Sequence, residues 1–318
     1  MINNTFYGND GDWFGYNDVK YYASKIAYDD VILNDFLPDN EFVVMNKVSY
    51  NFEKDSGTSG DTTWTFYTDT GLLDITGSGA MADYTEDELP PWYKYRNSIY
   101  RIRIGEDVTS LGKYAFYNLT HVIEIRINSS TLAALSVSDT NTNYGDNYTL
   151  YHTGADTRGM NVIFGSNVSK IPKMLMKPAE LESDSPNFNN FIFEGDSIQS
   201  IGSYGLAFSK KYGMILPHGI TKIDSMALGY GKMYLAMLPN SYSSATDYTF
   251  NGDENLEKVI FGPTISKIPQ HYFRRDSNIN TIVMPHIDDS ATVYDGVIGK
   301  TNSITIYGDS STETWVNN

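Results

Sequence analysis

A short apolar signature recurs along this chain and constrains its fold more than any other feature of the sequence. Each copy has an aliphatic residue, two polar residues, a second aliphatic residue, three mixed residues, a small residue and a larger apolar residue. A fixed internal repeat determines the architecture of a whole chain, because every copy must fold in the same way. The copies read VTSLGKYAF at 108–116, VSKIPKMLM at 168–176, IQSIGSYGLAF at 198–208, ITKIDSMAL at 220–228 and ISKIPQHYF at 265–273.

The spacing of the copies gives the period of the repeat. Ile198 and Ile220 lie 22 residues apart, and Ile265 follows 45 residues later. A gap of two periods predicts a degenerate copy in between, and YSSATDYTF at 242–250 fits that place. Further degenerate copies are expected at 132–135 and near residue 287.

A pair of alternating apolar residues precedes each signature. Alternation with a period of two predicts a strand that has one buried face. A strand, a turn and a short irregular or helical return that repeat every 20 to 29 residues or so are the geometry of a leucine-rich repeat. One such unit cannot bury its apolar face alone, so we expect a repeat solenoid of short parallel β-strands. The pairs are Ile102/Ile104, Val162/Phe164, Met214/Leu216, Ala236/Leu238 and Val259/Phe261.

Residues 102–125 read IRIGEDVTSLGKYAFYNLTHVIEI and carry one complete unit of this pattern. The unit resembles the repeat of the BspA-type leucine-rich repeat proteins, with Leu119 at the position where that family often has Cys. LPHGITKID at 216–224 resembles the strand and turn of the same repeat.

Sequence outside the repeats resembles the same family. TWTFYTDTGLLDITGSGAM at 63–81 and PPWYKY at 90–95 are similar to the element that precedes its first repeat. SITIYGDSS at 303–311 is similar to the last turn of such arrays. The resemblance covers roughly residues 57–318. It implies a leucine-rich-repeat fold, and adhesion or host-surface binding as the function.

Residues 1–55 lack the repeat and are expected to form an N-terminal α+β segment. Asp18–Leu37 has one apolar helical face, and Phe42–Phe52 alternates like a strand. KDSGTSGDT at 54–62 has the composition of a linker. Two interpretations stay open: residues 1–55 attach the protein to a larger assembly, or they cap the open end of the solenoid.

Residues 56–98 are expected to form a β-rich N-terminal cap, and residues 99–318 the solenoid, with insertions at 136–160 and 177–190. The first insertion is rich in tyrosine and amide side chains, which binding loops favour. Long loops are often functional, although loops also accept insertions that have no role. The candidate ligand-binding residues are Asn143, Tyr144, Asn147, Tyr148 and Tyr151.

A competing site is the row of strand residues between the apolar pairs, which contains Arg103, Ile163, Ile215 and Ile260.

The formal net charge of −16 disfavours some classes of partner. A strongly acidic surface repels phosphate backbones and anionic lipids, so we expect neither nucleic-acid binding nor membrane-surface binding and, without a long apolar stretch, no membrane insertion. No stretch has the roughly 20 apolar residues of a membrane-spanning helix, and residues 1–12 lack the pattern of a secretory signal. The absence of cysteine excludes disulfides and thiolate chemistry.

The sequence offers little for catalysis or metal binding. Its five histidines include no pair at metal-ligand spacing, and it has no His-Glu-x-x-His or Gly-x-Ser-x-Gly motif. Asparagines and aspartates between residues 9 and 18 are calcium-ligand types, but their spacing is not that of an EF-hand loop. We therefore expect no enzymatic activity, no cofactor and no metal site.

The repeat pattern and the composition favour non-enzymatic recognition. Solenoids present extended surfaces, and the 25 tyrosines supply aromatic anchors for a ligand. The expected partner is a host cell-surface protein or a glycan. The expected location is extracellular, on a virion (phage) surface or a bacterial cell surface, with docking into a larger assembly through residues 1–55. The alternatives are a purely structural subunit of a particle, or a secreted bacterial adhesin whose leader is absent from this chain.

Overall fold

The computed structural model describes most of the chain after residue 53. The described residues are 54–130, 132, 134–135, 148–175, 186–207, 213–239, 244–245, 247–293 and 303–317. The chain divides into two compact units, Met1–Glu53 and Lys54–Asn318, and every described residue lies in the second unit. The predicted helix and strand of the first unit, and the possible calcium ligands at residues 9 to 18, lie outside the described residues.

The second unit begins with an antiparallel meander. Strand β1 (Lys54–Ser59) pairs with β2 (Thr62–Tyr67), and β2 pairs with β3 (Leu72–Gly77). The turn between β1 and β2 favours glycine at Gly60, because φ is +60° there and a Cβ would lie 2.5 Å from a backbone oxygen. The prediction of a linker at 54–62 is wrong, because these polar residues form an edge strand and its turn.

Each repeat then contributes two short parallel strands, one after the other. The first strands follow the meander into one sheet, ordered β1-β2-β3-β5-β7-β9-β11, and then form a second sheet, ordered β13-β15-β17-β19-β21. Their bounds are β5 (Arg101–Ile104), β7 (Glu124–Ile127), β9 (Met160–Phe164), β11 (Phe188–Phe193), β13 (Gly213–Ile215), β15 (Leu235–Met237), β17 (Lys258–Ile260), β19 (Thr281–Met284) and β21 (Thr305–Gly308).

The second strands form three smaller parallel sheets, ordered β4-β6-β8, β10-β12-β14-β16 and β18-β20. The degenerate copies predicted at 132–135, at 242–250 and near residue 287 are confirmed, because each contributes a paired strand. The bounds are β4 (Gly79–Ala80), β6 (Val108–Leu111), β8 (Ala134–Leu135), β10 (Lys170–Ile171), β12 (Ser200–Ile201), β14 (Lys222–Ile223), β16 (Ser244–Ala245), β18 (Ile265–Ile268) and β20 (Ile287–Val293).

Helical structure occurs at the two ends of the described solenoid. A 3-10 turn at Pro91–Tyr95 buries Trp92, whose Nε1–H donates to the Ala115 carbonyl at 2.9 Å. Helix α1 (Ser310–Asn317) follows the last strand. No helix in the described part of the chain is long and apolar enough to cross a membrane.

The apolar core lies between the two lines of strands, and it contains the residues that the signature predicts. All five alternating pairs are buried, as are the described anchors Val108, Val168, Ile220 and Ile265. The signature position that carries Ala115 in the first repeat is buried again at Ala227 and Tyr272. Burial of this continuous row explains why the units need one another: each turn covers the apolar face of the next. The predicted repeat solenoid is confirmed.

The turns contain left-handed backbone at ordinary residues, in two positions four residues apart. Left-handed φ costs a residue with a Cβ roughly 1–2 kcal/mol, so the repeat accepts local strain to close each turn. The first position is Tyr114, Met174, Tyr204, Met226, Tyr248 and His271 in successive copies, with φ between 56° and 66°. The second position is Asn118, His152, Tyr230, Gly252 and Arg275.

Residues 148–160 belong to the body of a repeat. The Phe116 N–H donates to the Thr149 carbonyl at 2.9 Å, and Thr149 is itself buried. Met160 begins strand β9. The interpretation of 136–160 as one insertion is therefore wrong for residues 148–160, whereas residues 136–147 lie outside the described residues.

The end of the second expected insertion is also ordered repeat structure. Pro186 is buried, and Phe188 begins strand β11, which pairs with β9. The interpretation of 177–190 as a solvated excursion is wrong for these last residues, because an aromatic strand needs a core face. Residues 177–185 lie outside the described residues.

Candidate recognition surface

The residues between the buried pairs form a continuous column on the outer face of the first sheet. The register places Asp74 beside Arg103, Arg103 beside Arg126, Arg126 beside Ile163, and Ile163 beside Ile192. Side chains of adjacent parallel strands at matched positions lie about 4.8 Å apart, so the column is a contact surface in its own right. Arg103 and Ile163 of the predicted competing row lie in this column, whereas Ile215 and Ile260 of that row lie on the second sheet.

The charged part of this column is internally neutralised. The Arg103 guanidinium donates to both carboxylate oxygens of Asp74, at 2.9 Å from Nε and 2.7 Å from Nη2. The Arg126 guanidinium donates to Glu194 at 2.9 Å and to the Asn128 amide oxygen at 3.1 Å. Bidentate pairs hold both cations in fixed geometry, so they stiffen the sheet more than they attract a charged ligand.

The outer column of the second sheet is apolar throughout, and we call it the apolar column. Its members are Ile215, Met237, Ile260, Val283 and Tyr307, in one register. Ile215 is 66% exposed and Tyr307 is 58% exposed at the two ends. Beside it the Lys258 ammonium lies 5.5 Å from the centre of the Tyr234 ring. Met237, Ile260 and Val283 between them are half-buried. A contiguous row of apolar side chains that solvent reaches is a mark of an interaction surface.

Two of the predicted ligand-binding residues lie in a cluster of stacked rings. Tyr148 stacks on Tyr114 with ring centres 4.6 Å apart, and Tyr151 stacks on Tyr117 at 4.9 Å. Tyr151 also contacts the ring of His152 at 4.3 Å. One face of Tyr148 and one face of Tyr151 are therefore covered by other rings of the protein. Asn143, Tyr144 and Asn147 lie outside the described residues, so their binding role stays a prediction.

The same cluster contains a perturbed phenol. The Tyr117 hydroxyl donates to Glu86 at 3.4 Å. Burial, with the nearby Glu86 carboxylate as a second cause, raises the pKa of Tyr117 to about 12. This group is a poor acid or base at neutral pH, which fits a packing role.

Two buried carboxyl groups lie in adjacent turns and were not anticipated from the sequence. Asp253 and Asp276 have no exposed surface. Burial raises the pKa of Asp253 to about 7, against the lowering effect of hydrogen bonds from the backbone of Met233 and Asn255. Burial also raises the pKa of Asp276, to about 9, with the Asp253 charge as a further cause. The sequence did contain a signal for their burial. Both aspartates lie three residues after the signature phenylalanine, at the position that Leu119 occupies in the first repeat.

A serine, a histidine and an aspartate meet at the last turn, but not as a nucleophilic triad. The Asp309 carboxylate lies 2.7 Å from Nδ1 of His286, and the Ser311 hydroxyl lies 3.4 Å from the same nitrogen. A triad needs serine at one ring nitrogen and the acid at the other. Hydrogen bonds from Ser311 and then His286 hold the pKa of Asp309 well below its usual range. Asp309 also accepts the Ser311 N–H at 2.9 Å, so it caps helix α1.

The described residues contain no group of three or more His, Asp or Glu side chains placed to hold a metal ion.

The fold and its outer face define the class of protein as a leucine-rich repeat solenoid. A sequence profile of the BspA type leucine rich repeat region matches this chain in six copies, over residues 92–141 and 180–297. These ranges make up more than half of the 318 residues. The chain therefore belongs to the BspA-type leucine-rich repeat family, whose members are typically cell-surface proteins.

Several solved structures are similar to this chain at low identity. A leucine-rich repeat protein from Eubacterium ventriosum is 17% identical, with 80% of this chain and 85% of that chain covered and a TM-score of 0.32. The pneumococcal vaccine antigen PcpA is 12% identical, with 69% and 64% covered and a TM-score of 0.42. A leucine rich cell surface protein from Faecalibacterium prausnitzii is 12% identical, with 82% and 97% covered and a TM-score of 0.27. No curated protein matches the sequence. The family assignment rests on the repeat profile.

Proposed function

We propose that this protein is a non-enzymatic recognition protein that mediates adhesion or receptor binding outside the cell, and that it binds its partner through the apolar column. The observation that carries the proposal is the register of five apolar side chains on the outer face of one sheet, from Ile215 to Tyr307. Sheet faces turned to solvent normally carry polar residues. The apolar surface of this row that solvent still reaches gains further free energy of burial when a partner covers it.

The chemistry of the apolar column favours a protein partner over a glycan. Four of its five members are aliphatic, and these side chains pack against other apolar side chains. Sugar rings prefer flat aromatic faces, and the described tyrosines of the ring cluster already stack on one another. The partner is a cell-surface protein that presents an apolar segment.

The dimensions of the apolar column fit a segment rather than a second whole protein. Five strands at about 4.8 Å spacing give a length of about 19 Å. With a width of two side chains, the footprint is roughly 300 Å². A stable dimer of two folded chains buries about 800 Å² on each partner, so the column alone is too small for that role.

Binding to two kinds of surface tests this function. Fluorescently labelled protein is applied to epithelial cell monolayers and to immobilised bacterial cell walls, which represent the animal-cell and bacterial-cell alternatives. The variant Ile215→Thr, Ile260→Thr, Val283→Thr keeps β-branched side chains, so the strands should persist while the apolar face is lost. We expect binding to at least one surface, and a loss of tenfold or more in affinity for this variant. Protease treatment of that surface should abolish binding, whereas periodate oxidation of glycans should not.

The matched control changes outward residues of the other sheet. Ile163→Thr with Ile192→Thr makes the same chemical change on strands β9 and β11 and should leave binding intact. Equal loss in both variants would contradict a specific role for the apolar column. Full binding by the triple variant, with loss in Tyr144→Ala, Tyr148→Ala, would move the site to residues 136–147 and their neighbours. Binding removed by periodate would make the partner a glycan.

A further inference from the structure

Two carboxyl groups lie inside consecutive turns of the C-terminal half, away from solvent. Asp253 and Asp276 are both fully buried, next to the buried apolar residues Leu256 and Ile279. They occupy the same position of their repeats, since each follows the signature phenylalanine by three residues. The repeat has therefore placed an ionisable group where its first copy has a leucine.

The hydrogen bonds of these carboxyl groups join three successive turns but leave two oxygens unpartnered. The Met233 N–H donates to Oδ2 of Asp253 at 3.4 Å, and the Asp253 N–H donates to Oδ1 of Asp276 at 2.7 Å. Oδ1 of Asp253 and Oδ2 of Asp276 are buried and have no hydrogen-bond partner among the described residues. A neutral carboxyl group tolerates such a site far better than a carboxylate, whose charge would be neither solvated nor paired.

One titratable side chain acts on this pair: the Asp253 charge raises the pKa of Asp276. Asp253 faces backbone of the preceding turn through Met233, and Asp276 faces backbone of its preceding turn and the Asp253 carboxyl. The neighbouring charged side chains Glu254, Arg274 and Arg275 are exposed to solvent. Ionisation of both acids would place two like charges in one apolar core.

We propose that the described turns from residue 247 onward form a pH-responsive segment, closed when Asp253 and Asp276 hold their protons and loosened when those protons pass to solvent. Each turn of a solenoid contacts only its neighbours, so opening at Asp253 and Asp276 can spread toward the C-terminus without unfolding the earlier repeats. This inference rests on the buried acids alone and does not depend on the proposed function. It bears on that function, because strands β17, β19 and β21 of the apolar column lie in the segment.

The direction of the effect follows from linkage. In an opened turn each acid regains an ordinary pKa of about 4, whereas burial raises the pKa of Asp253 in the closed turn to about 7. Between these values the closed state holds more protons than the opened state, so its stability falls as pH rises. Burial raises the pKa of Asp276 as well, which extends the window upward toward pH 9.

Hydrogen–deuterium exchange with mass spectrometry on the full chain tests the proposal. Protection factors are measured at pH 5, 6, 7 and 8 and corrected for the intrinsic pH dependence of exchange. We expect the protection of peptides from 247–293 to fall by about tenfold per pH unit for each acid that ionises on opening. Peptides from 101–127, in the first repeats, should keep constant protection.

Isosteric amide variants make the test specific. Asp253→Asn with Asp276→Asn should remove the pH dependence of peptides that exclude His286, whose own pKa is raised by its hydrogen bond to Asp309, and each single variant should remove part of it. The matched control Asp247→Asn with Glu254→Gln removes the same charge from exposed sites of the same segment and should behave as wild type. Constant protection of 247–293 in the wild-type protein would overturn the proposal. An unchanged slope in the Asp253 and Asp276 variants would also overturn it.

Discussion

Several turns of this protein contain a non-glycine residue with a left-handed backbone, and each such residue lowers the stability of the fold. Arg275 has a φ of 68°, and the residue at the same position one repeat earlier is Gly252. We expect Arg275→Gly to be more stable than Arg275→Ala by about 1 kcal/mol, because alanine keeps the Cβ that the left-handed conformation disfavours. Urea denaturation of both variants measures the difference, and loss of the arginine side chain cancels in the comparison. Equal midpoints would show that these turns are not strained.

The small residue of the signature gives a second test at this scale. Ala227 is fully buried, whereas Gln270 is exposed in a similar turn. Ala227→Asp should destabilise the protein by about 3 kcal/mol or more, because it buries a carboxylate without a partner. Gln270→Asp adds the same charge in water and should change the free energy of unfolding by less than about 0.5 kcal/mol. Thermal denaturation with equal midpoints for both variants would remove Ala227 from the core.

The burial of some residues could be predicted from the sequence, and the burial of others could not. Burial of Ile223 and Leu111 could be predicted, because each recurs at a fixed place in an apolar pattern. Burial of Asp253 and Asp276 could not, because a carboxyl group is expected in water and only its position in the repeat argues otherwise. Tyr148 stacks on Tyr114, although the two residues are 34 positions apart in the sequence. This contact depends on how two turns pack side by side, and a local sequence pattern does not contain that information.

At the scale of strands, the two arginine pairs of the first sheet should differ in importance. The Asp74 side chain is 7% exposed, whereas both members of the Arg126–Glu194 pair are more than a third exposed. Arg103→Ala should cost about 1–3 kcal/mol, because it leaves a buried carboxylate without its donors. Arg126→Ala should cost less than about 1 kcal/mol, since solvent screens that pair. Chemical denaturation of the two variants gives the comparison.

A double variant separates the contribution of the Asp74–Arg103 ion pair from that of the packing of Arg103 on the sheet. Asp74→Ala with Arg103→Ala removes both charges and should recover part of the stability that Arg103→Ala loses. No recovery would mean that Arg103 acts through its packing on strand β3 rather than through the carboxylate.

The strands themselves illustrate what a period of two can and cannot predict. Alternation indicated which residues of β9 and β17 face the core, and the structure confirms both. The pattern did not indicate that Lys54–Ser59 is a strand, because an edge strand with a polar sequence lacks a strong apolar face. Nor did it show that Tyr148–Met160 belongs to a repeat, since polar buried residues such as Thr149 and Thr153 replaced the apolar signature there.

For the whole molecule, the boundary between the two compact units predicts where the chain can be shortened. A chain that begins at Lys54 should fold, because it keeps β1 and the 2.9 Å hydrogen bond from the Tyr95 hydroxyl to Asp55. A chain that begins at Thr62 should be less stable and should show red-shifted tryptophan fluorescence. In the intact protein β1 lies against buried Trp64, since a Cβ at Gly57 would be 2.9 Å from the indole nitrogen.

Circular dichroism melting of these two chains provides the measurement. Cooperative melting of the chain from Lys54 at a temperature near that of the full protein is the expected result. Aggregation of that chain would instead make residues 1–53 part of the cap. The role of residues 1–55 in attachment to a larger assembly stays a prediction, and loss of assembly by the shortened chain would support it.

The central claim, that the apolar column is the recognition surface, is tested most directly by site-specific photo-crosslinking. A photoreactive amino acid is placed at position 260 on strand β17, where Ile260 is half-buried, or at position 266 on strand β18 of the other line of strands, where Ser266 is exposed. Each protein is bound to the surface that retains the wild-type chain and is then irradiated. The account predicts that a partner protein is captured from position 260 and not from position 266. Capture from position 266 alone would contradict it.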